Sequence, residues 1–429
     1  MKLNYNRTVF VGFAFFLICS FWQAYDSIVP LILTNKFGME QTWSGFIMSL
    51  DNIFAIFMLP LFGTLSDKTK TKYGKRTPYI FFGTIAAAVS LSLLGLMPSL
   101  FGFIAMLLLC LISMATFRSP AVALMPDVTE KPLRSKGNAV INLMGTAGGI
   151  IVLVLGIVFK TSTPGKSDFT FFLISVAALM LAALVVFLFT VKEPLWAKEA
   201  ADADAALQEK EEKAEADGVI VQKEDKSPRG KTLSLIFLLA SVALWYIGYN
   251  AVTSKYSVYA TNVLGVNYNV TLMVAQVAAV IAYIPVGIIA SKFGRKKTIL
   301  FGVFLLATAF GLAAFVKPGT PEILMYLLFS VAGIGWATIN VNSFPMVVEL
   351  ASMSETGKYT GYYYTASMAA QVVTPIFSGF LIDRIGWHIF FPYATVFAAL
   401  AFVTMCFVRH GDSMPTPAIS VLENFSTDD

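Results

Sequence analysis

Histidine and cysteine are almost missing from this chain, and charge is scarce. Among 429 residues there are two histidines and three cysteines, and only 13% of positions are charged. Cys19, Cys110 and Cys406 each lie inside an apolar run, which argues against a disulfide framework. His388 and His410 have no ligand-spaced companions, so no metal site is expected, and no cofactor either. With so little charge, 57% hydrophobic residues and a mean hydropathy of +0.71 exclude a soluble globule. Lipid must be the solvent for most of this surface. The net charge of +5 does not call for nucleic acid, because the basic residues concentrate in short loops flanking apolar spans.

Lys2 and Arg7 ahead of an apolar stretch imitate a signal peptide. The stretch carries Gln23, Tyr25 and Asp26, however, and runs on to Leu33 without a small-residue cleavage site. Bulky Ile18 before Cys19 fits a lipoprotein signal poorly. The segment reads as a retained first membrane helix.

Twelve spans of roughly 20 apolar residues, enough to cross a ~30 Å hydrocarbon core, account for the apolar sequence. The first six are Thr8–Leu33, Trp43–Leu65, Tyr79–Met97, Phe101–Met125, Gly137–Lys160 and Phe169–Val191. The second six are Thr232–Ala260, Val270–Ala290, Thr298–Val316, Ile323–Val348, Tyr359–Ile382 and Ile389–Val408. Lys68, Lys70, Lys72, Lys75 and Arg76 follow the second span, and Lys292, Arg295, Lys296 and Lys297 follow the eighth. The positive-inside rule therefore predicts both termini on the cytoplasmic side. Between the two sets, 192–231 is rich in Ala, Asp, Glu and Lys, and reads as a short exposed helix in a flexible tether. The expected organisation is a six-helix half over 1–191, a charged cytoplasmic linker over 192–231, a second six-helix half over 232–408 and a cytoplasmic tail over 409–429.

The halves repeat. Pro60-Leu-Phe-Gly63-Thr-Leu-Ser66-Asp67-Lys68 has a counterpart in Pro285-Val-Gly287-Ile-Ile-Ala-Ser291-Lys292, about half a chain later. Ala115-Thr116 precedes Asp127 by the same interval that separates Ala337-Thr338 from Glu349. Trp22, Tyr25 and Asp26 also correspond to Trp245, Tyr249 and Asn250, to within one residue of a common offset. A duplicated bundle with matching basic loops is how many secondary transporters are built, with substrate bound between the halves.

On these motifs the whole chain resembles the major facilitator superfamily. Gly287-x-x-x-Ser291-Lys292-x-Gly294-Arg295-Lys296 is close to that family's loop signature, with serine where aspartate is usual. The first loop keeps Asp67 but is longer, reaching Gly74-Lys75-Arg76-Thr77-Pro78. That form, with Arg134-Ser-Lys-Gly after Pro126-Asp127, resembles the glycoside–pentoside–hexuronide symporters and their sucrose-transporter-like branch. The resemblance implies an all-α membrane protein of twelve transmembrane helices in two halves, with the first, fourth, seventh and tenth lining a central cavity. It also implies a cytoplasmic gate in the basic loops, built here from Asp67, Arg76, Asp127 and Arg295. Melibiose-type members carry two aspartates on the second helix where this chain has Ala55 and Leu59, and an aspartate where it has Arg118. Their sodium site is therefore not expected, and proton coupling is.

Ionisable groups inside spans are costly, at least ~2.5–3.5 kcal/mol each near the bilayer centre. Here they are Asp26, Asp51, Arg118 and Lys255. Asp26 and Lys255 lie near the outer ends, where snorkelling is the alternative reading. Asp51 is too short to snorkel, and nothing else in its turn is expected to satisfy it. A sugar site also needs hydrogen-bonding groups and flat apolar faces. Candidates are Gln23 and Tyr25 beside Trp22, Trp245 and Asn250 beside Tyr249, Trp336, Asn340 and Asn342, and Gln371 beyond Tyr363 and Tyr364. The expectation is a monomeric plasma-membrane symporter that imports a small glycoside, sucrose- or maltose-like, with a proton carried by Asp51 or Asp26. An uncoupled facilitator or exporter is the alternative. A membrane enzyme would need a nucleophile–base pair or metal cluster, and a receptor a signalling domain; neither is seen.

Overall fold

The computed structural model describes residues 3–216, 228–350 and 356–411. Along the first half run α1 (Tyr5–Leu31), α2 (Gln41–Lys68), α3 (Thr77–Leu94), α4 (Leu100–Asp127), α5 (Arg134–Val158) and α6 (Thr170–Thr190). A charged helix, α7 (Glu193–Ala216), follows. The second half holds α8 (Pro228–Val258), α9 (Tyr268–Phe293), α10 (Arg295–Ala313), α11 (Glu322–Val348), α12 (Thr356–Ile385) and α13 (Phe390–Cys406). Eleven described stretches are long and apolar enough to cross a membrane, and α9 adds an apolar run over Tyr268–Tyr283. The fold is thus all-α, with twelve spanning helices in two sets of six.

These helices are apolar around most of their circumference, because one side meets the bundle and the other meets lipid. Phe101, Phe189 and Phe315 stand almost fully exposed on the outside, while Phe21, Phe103, Phe117 and Phe310 are buried. Local signals set the ends. Ser99 caps α4 by accepting the Gly102 N–H at 3.2 Å, so Pro98-Ser99 does separate α3 from α4. Asn267 caps α9 through the Asn269 N–H at 3.1 Å. The repeat reaches fine detail, since α1 and α8 both run on into a π-helical turn, Ile32–Lys36 and Tyr259–Leu264.

Within the first set α1 packs on α5 and α6, and α3 on α4 and α6; in the second, α11 packs on α9 and α10, and α13 on α8 and α10. The halves meet through α2 on α12, α1 on α8, and α5 on α9. Hydrogen bonds across this seam lie away from the basic loops. They include Tyr268 and Thr161 hydroxyls 2.7 Å apart, Ser162 to Asn267 at 3.0 Å, and Asn262 to Asn35 at 2.7 Å.

The linker differs from expectation. Its helix runs 24 residues, and its first turns are docked rather than exposed, with Glu193, Trp196 and Ala200 buried against the first half. Residues 217–227 of the linker and 412–429 of the tail lie outside the described residues.

Candidate functional site

A cavity of about 200 Å³ opens where the two halves meet. α1 contributes Trp22 and Asp26, one turn apart and so on one face. α2 contributes Met48, Asp51 and Asn52, and α4 contributes Arg118. From the second half come Asn250, Thr253 and Ser254 on α8, with Gln371 and Pro375 on α12. All of the charge sits on the first-half wall, and the second-half wall is neutral and hydrogen-bonding.

Three ionisable groups dominate. Arg118 lies with its guanidinium carbon 5.3 Å from the centroid of the Trp22 ring, a cation–π contact. It acts electrostatically on both Asp26 and Asp51, and the two carboxylates act on each other. Two acids thus share one guanidinium. Asp51 is not left to itself as expected, because the Asn52 amide donates to its Oδ1 at 2.8 Å. On the facing wall Asn250 donates its amide N–H to the Tyr246 carbonyl at 2.9 Å, which leaves its amide oxygen for the cavity.

Of the residues singled out in the sequence, Asp26, Asp51, Arg118, Asn250 and Gln371 come together here. The rest go elsewhere. Lys255 is fully buried and donates to the Gln41 carbonyl at 2.6 Å, so it neither lines the cavity nor snorkels to a headgroup. Tyr25 is buried behind Trp22, with its ring edge-on to it at 5.3 Å. Gln23 accepts from Gln276 at 2.5 Å and donates to Ser27 at 3.0 Å, tying α1 to α9. Trp245 is wholly within the core. Trp336 stacks flat on Tyr249 at 3.6 Å, and Asn342 donates back to the Thr338 carbonyl at 2.9 Å on its own helix. Asn340, half-buried on α11, also lies outside the cavity lining. Helical periodicity explains these departures: a polar residue's depth is legible in the sequence, but its azimuth is set by packing. Asn52, Thr253 and Ser254 were missed. Asn52 could have been found as a second polar residue beside Asp51, and Thr253 and Ser254 as the face one turn beyond Asn250. Hydroxyls in helices usually bond their own backbone and carry little signal.

The basic-loop residues form a second cluster. Arg76 is buried, pairs with Asp67 and Ser66, and donates from Nε to Asp127 at 2.8 Å. Lys75 reaches the same Asp127 at 3.1 Å. In the second half Arg295 pairs with Glu349 at 2.7 Å. Each of these pairs stays within one half. Glu193, absent from the sequence expectations, organises the first cluster. Its Oε1 accepts the N–H groups of Lys75 and Arg76 at 2.7 and 2.8 Å. Its Oε2 accepts the N–H and hydroxyl of Thr77 at 2.8 and 2.7 Å. Gly74 makes room for it: its φ is +110°, and a Cβ there would stand 2.2 Å from the Glu193 carboxyl carbon.

The profile of the Major Facilitator Superfamily matches residues 11–367 and 268–423. The chain is 23% identical to an uncharacterized MFS-type transporter of Methanocaldococcus jannaschii, covering 93% of this chain and 94% of that one. Over a shorter stretch of 61 residues, 14% of this chain and 12% of the other, it is 31% identical to a sucrose transport protein of Arabidopsis thaliana. Among solved structures, the nucleoside transporter NupG superposes with a TM-score of 0.68 at 16% identity, covering 94% of this chain and 100% of that one. A peptide transporter, POT, superposes with a TM-score of 0.69 at 12% identity, covering 94% of this chain and 93% of that one. At such identities the likeness to the solved structures is one of fold.

Proposed function

This chain belongs to the Major Facilitator Superfamily of membrane transporters, and from that premise we propose that it is a proton-coupled symporter importing a small glycoside by alternating access. The observation that carries the reading is the pair Asp26 and Asp51 sharing Arg118 in a cavity between the halves. With both carboxylates charged the site holds one negative charge in excess, which a low-dielectric cavity penalises. A proton taken up by either acid cancels that excess and frees Arg118 for substrate, linking occupancy to rocking of the halves.

Recognition falls to the neutral wall. Gln371, Asn250, Thr253 and Ser254 offer amide and hydroxyl groups suited to sugar hydroxyls, while Trp22 supplies a flat apolar face. The cavity volume is below the roughly 300–1,000 Å³ usual for ligand pockets, which favours the smaller glycosides. The local similarity to a sucrose transport protein supports the sucrose-transporter-like branch. Apolar Ala55 and Leu59 on α2, in place of the melibiose-type acids, support a proton over sodium.

In this reading 1–191 and 232–408 are the moving halves and 192–231 joins them. The basic loops and both termini face the cytoplasm, and the protein works as a monomer in the cell membrane. Asp67, Arg76, Asp127 and Arg295 stiffen the cytoplasmic ends that must meet when the outer side opens. The test is uptake of a panel of radiolabelled sugars into proteoliposomes at two pH values. Accumulation driven by an imposed inward proton gradient and abolished by a protonophore is expected. Equilibration without accumulation would instead identify an uncoupled facilitator.

A further inference from the structure

Lys255 is the one fully buried lysine among the described residues, and the cavity does not use it. It lies where α2 begins, on the face opposite the basic loops. There Glu40, the N-cap residue of α2, makes no side-chain cap of its own. A carboxylate from the other half does so instead. Asp383, near the end of α12, accepts the Gln41 N–H at 2.9 Å, the Thr42 N–H at 2.7 Å and the Thr42 hydroxyl at 2.6 Å. Lys255 on α8 donates to the Gln41 carbonyl at 2.6 Å, and Asp383 acts on it electrostatically. One peptide of α2 is therefore held at its N–H by an acid and at its carbonyl by a base, both from the second half.

The backbones touch as well. A Cβ at Gly45 would stand 1.9 Å from the Pro375 carbonyl oxygen, and one at Gly379 would stand 2.2 Å from that of Gln41. Small residues bring the helices close enough for the short polar contacts. The same two helices carry the cavity residues Asp51 and Gln371 one to three turns further along from these contacts.

We propose that Asp383, Lys255 and the first turn of α2 form a latch that holds the outer side shut and must release for substrate to enter. This rests on the alternating-access reading, in which α2 and α12 part on that face. Release leaves the α2 N-terminus uncapped and a buried lysine donor without its acceptor, so the latch biases the resting protein toward the form open to the basic face.

The test is the reactivity of a cavity cysteine, Thr253→Cys, in a background with the three native cysteines replaced by serine. A membrane-impermeant maleimide is applied to right-side-out and inside-out vesicles in parallel. Asp383→Asn and Lys255→Met should each raise labelling from the outer side about tenfold and lower it from the inner side. Thr42→Val removes one of the three cap bonds without changing any charge. It should shift labelling the same way by a smaller factor, and serves as the reporter if the charge variants do not fold. Glu40→Gln, at the unused cap position, should leave both rates at the parent value. Outer-side labelling unchanged in Asp383→Asn or, failing its expression, in Thr42→Val would overturn the latch. Labelling needs no substrate. A shift in labelling with no sugar uptake by the parent chain, which keeps Thr253, would sink the glycoside reading alone, and uptake by the parent chain with unshifted labelling would sink the latch alone.

Discussion

Removing the Glu193 carboxylate should destabilise the first half far more than its place in a charge-rich linker implies. The side chain is buried and accepts four hydrogen bonds from Lys75, Arg76 and Thr77, at the start of α3. A hydrogen bond to a charged group is worth about 1.5–3 kcal/mol, and an N-cap replaced by alanine costs about 0.5–2 kcal/mol. Water can reach this loop and replace part of what is lost, so a net cost of about 3 kcal/mol is expected for Glu193→Ala. For a cooperative unit of 150–250 residues, 1 kcal/mol moves Tm by about 2–4 °C, which gives a fall of about 6–12 °C. The assay is thermal unfolding in detergent with a thiol-reactive dye, in a chain whose half-buried Cys19 and exposed Cys406 are replaced so that buried Cys110 reports opening. Glu199→Ala is the control, since it breaks only a half-exposed pair with Arg7 worth under about 1 kcal/mol. Equal Tm values for the two variants would refute the reasoning, because they would mean that water caps α3 as well as Glu193 does.

Four further outcomes follow from the site and one loop. Asp51→Asn should abolish accumulation against a gradient yet keep substrate exchange, measured in preloaded proteoliposomes; full concentrative uptake would move the proton to Asp26. Arg118→Lys keeps the charge but loses the planar fork, so transport should drop more than tenfold with normal expression, and near-normal uptake would remove Arg118 from the mechanism. Gln371→Leu should raise KM about 3–10-fold with the pH dependence of uptake unchanged, which separates recognition from coupling. Asp168, in the loop before α6, accepts the Thr170 N–H at 2.9 Å; that bond, helped by Lys36 and Lys166, holds its carboxyl below the usual carboxylate range. A depressed value stabilises the fold above the ordinary carboxylate pKa and is lost as pH falls through it. Asp168→Ala should therefore lower Tm at neutral pH and have no effect near about pH 2.

Much of the architecture was legible one residue at a time. Burying a polar group in hydrocarbon is costly wherever it occurs, so Asp26, Asp51, Arg118, Asn250 and Gln371 stood out of their spans before any fold was known. The duplicated loops and the matched spacing from Ala115 to Asp127 and from Ala337 to Glu349 exposed the repeat for a similar reason. Both halves face the same lipid and the same water, and they answer with the same residue types. Side-chain azimuth was not legible in this way. Trp245 and Asn250 share α8 and both looked like site residues, yet Trp245 turned into the core and Asn250 into the cavity.

Length, apolar content and basic loops by themselves determined that this is a twelve-helix membrane bundle in two related halves, because those properties answer to bilayer thickness and solvation alone. Only the tertiary structure decided that Glu193 caps α3 at a separation of 117 residues from Arg76, and that Lys255 meets Gln41 at a separation of 214 residues. It also decided that the seam lies closed on the face away from the basic loops. Such pairings depend on which helix faces meet, and hydrophobicity that is nearly uniform around each helix leaves that choice to close packing and to the few polar groups that must find partners.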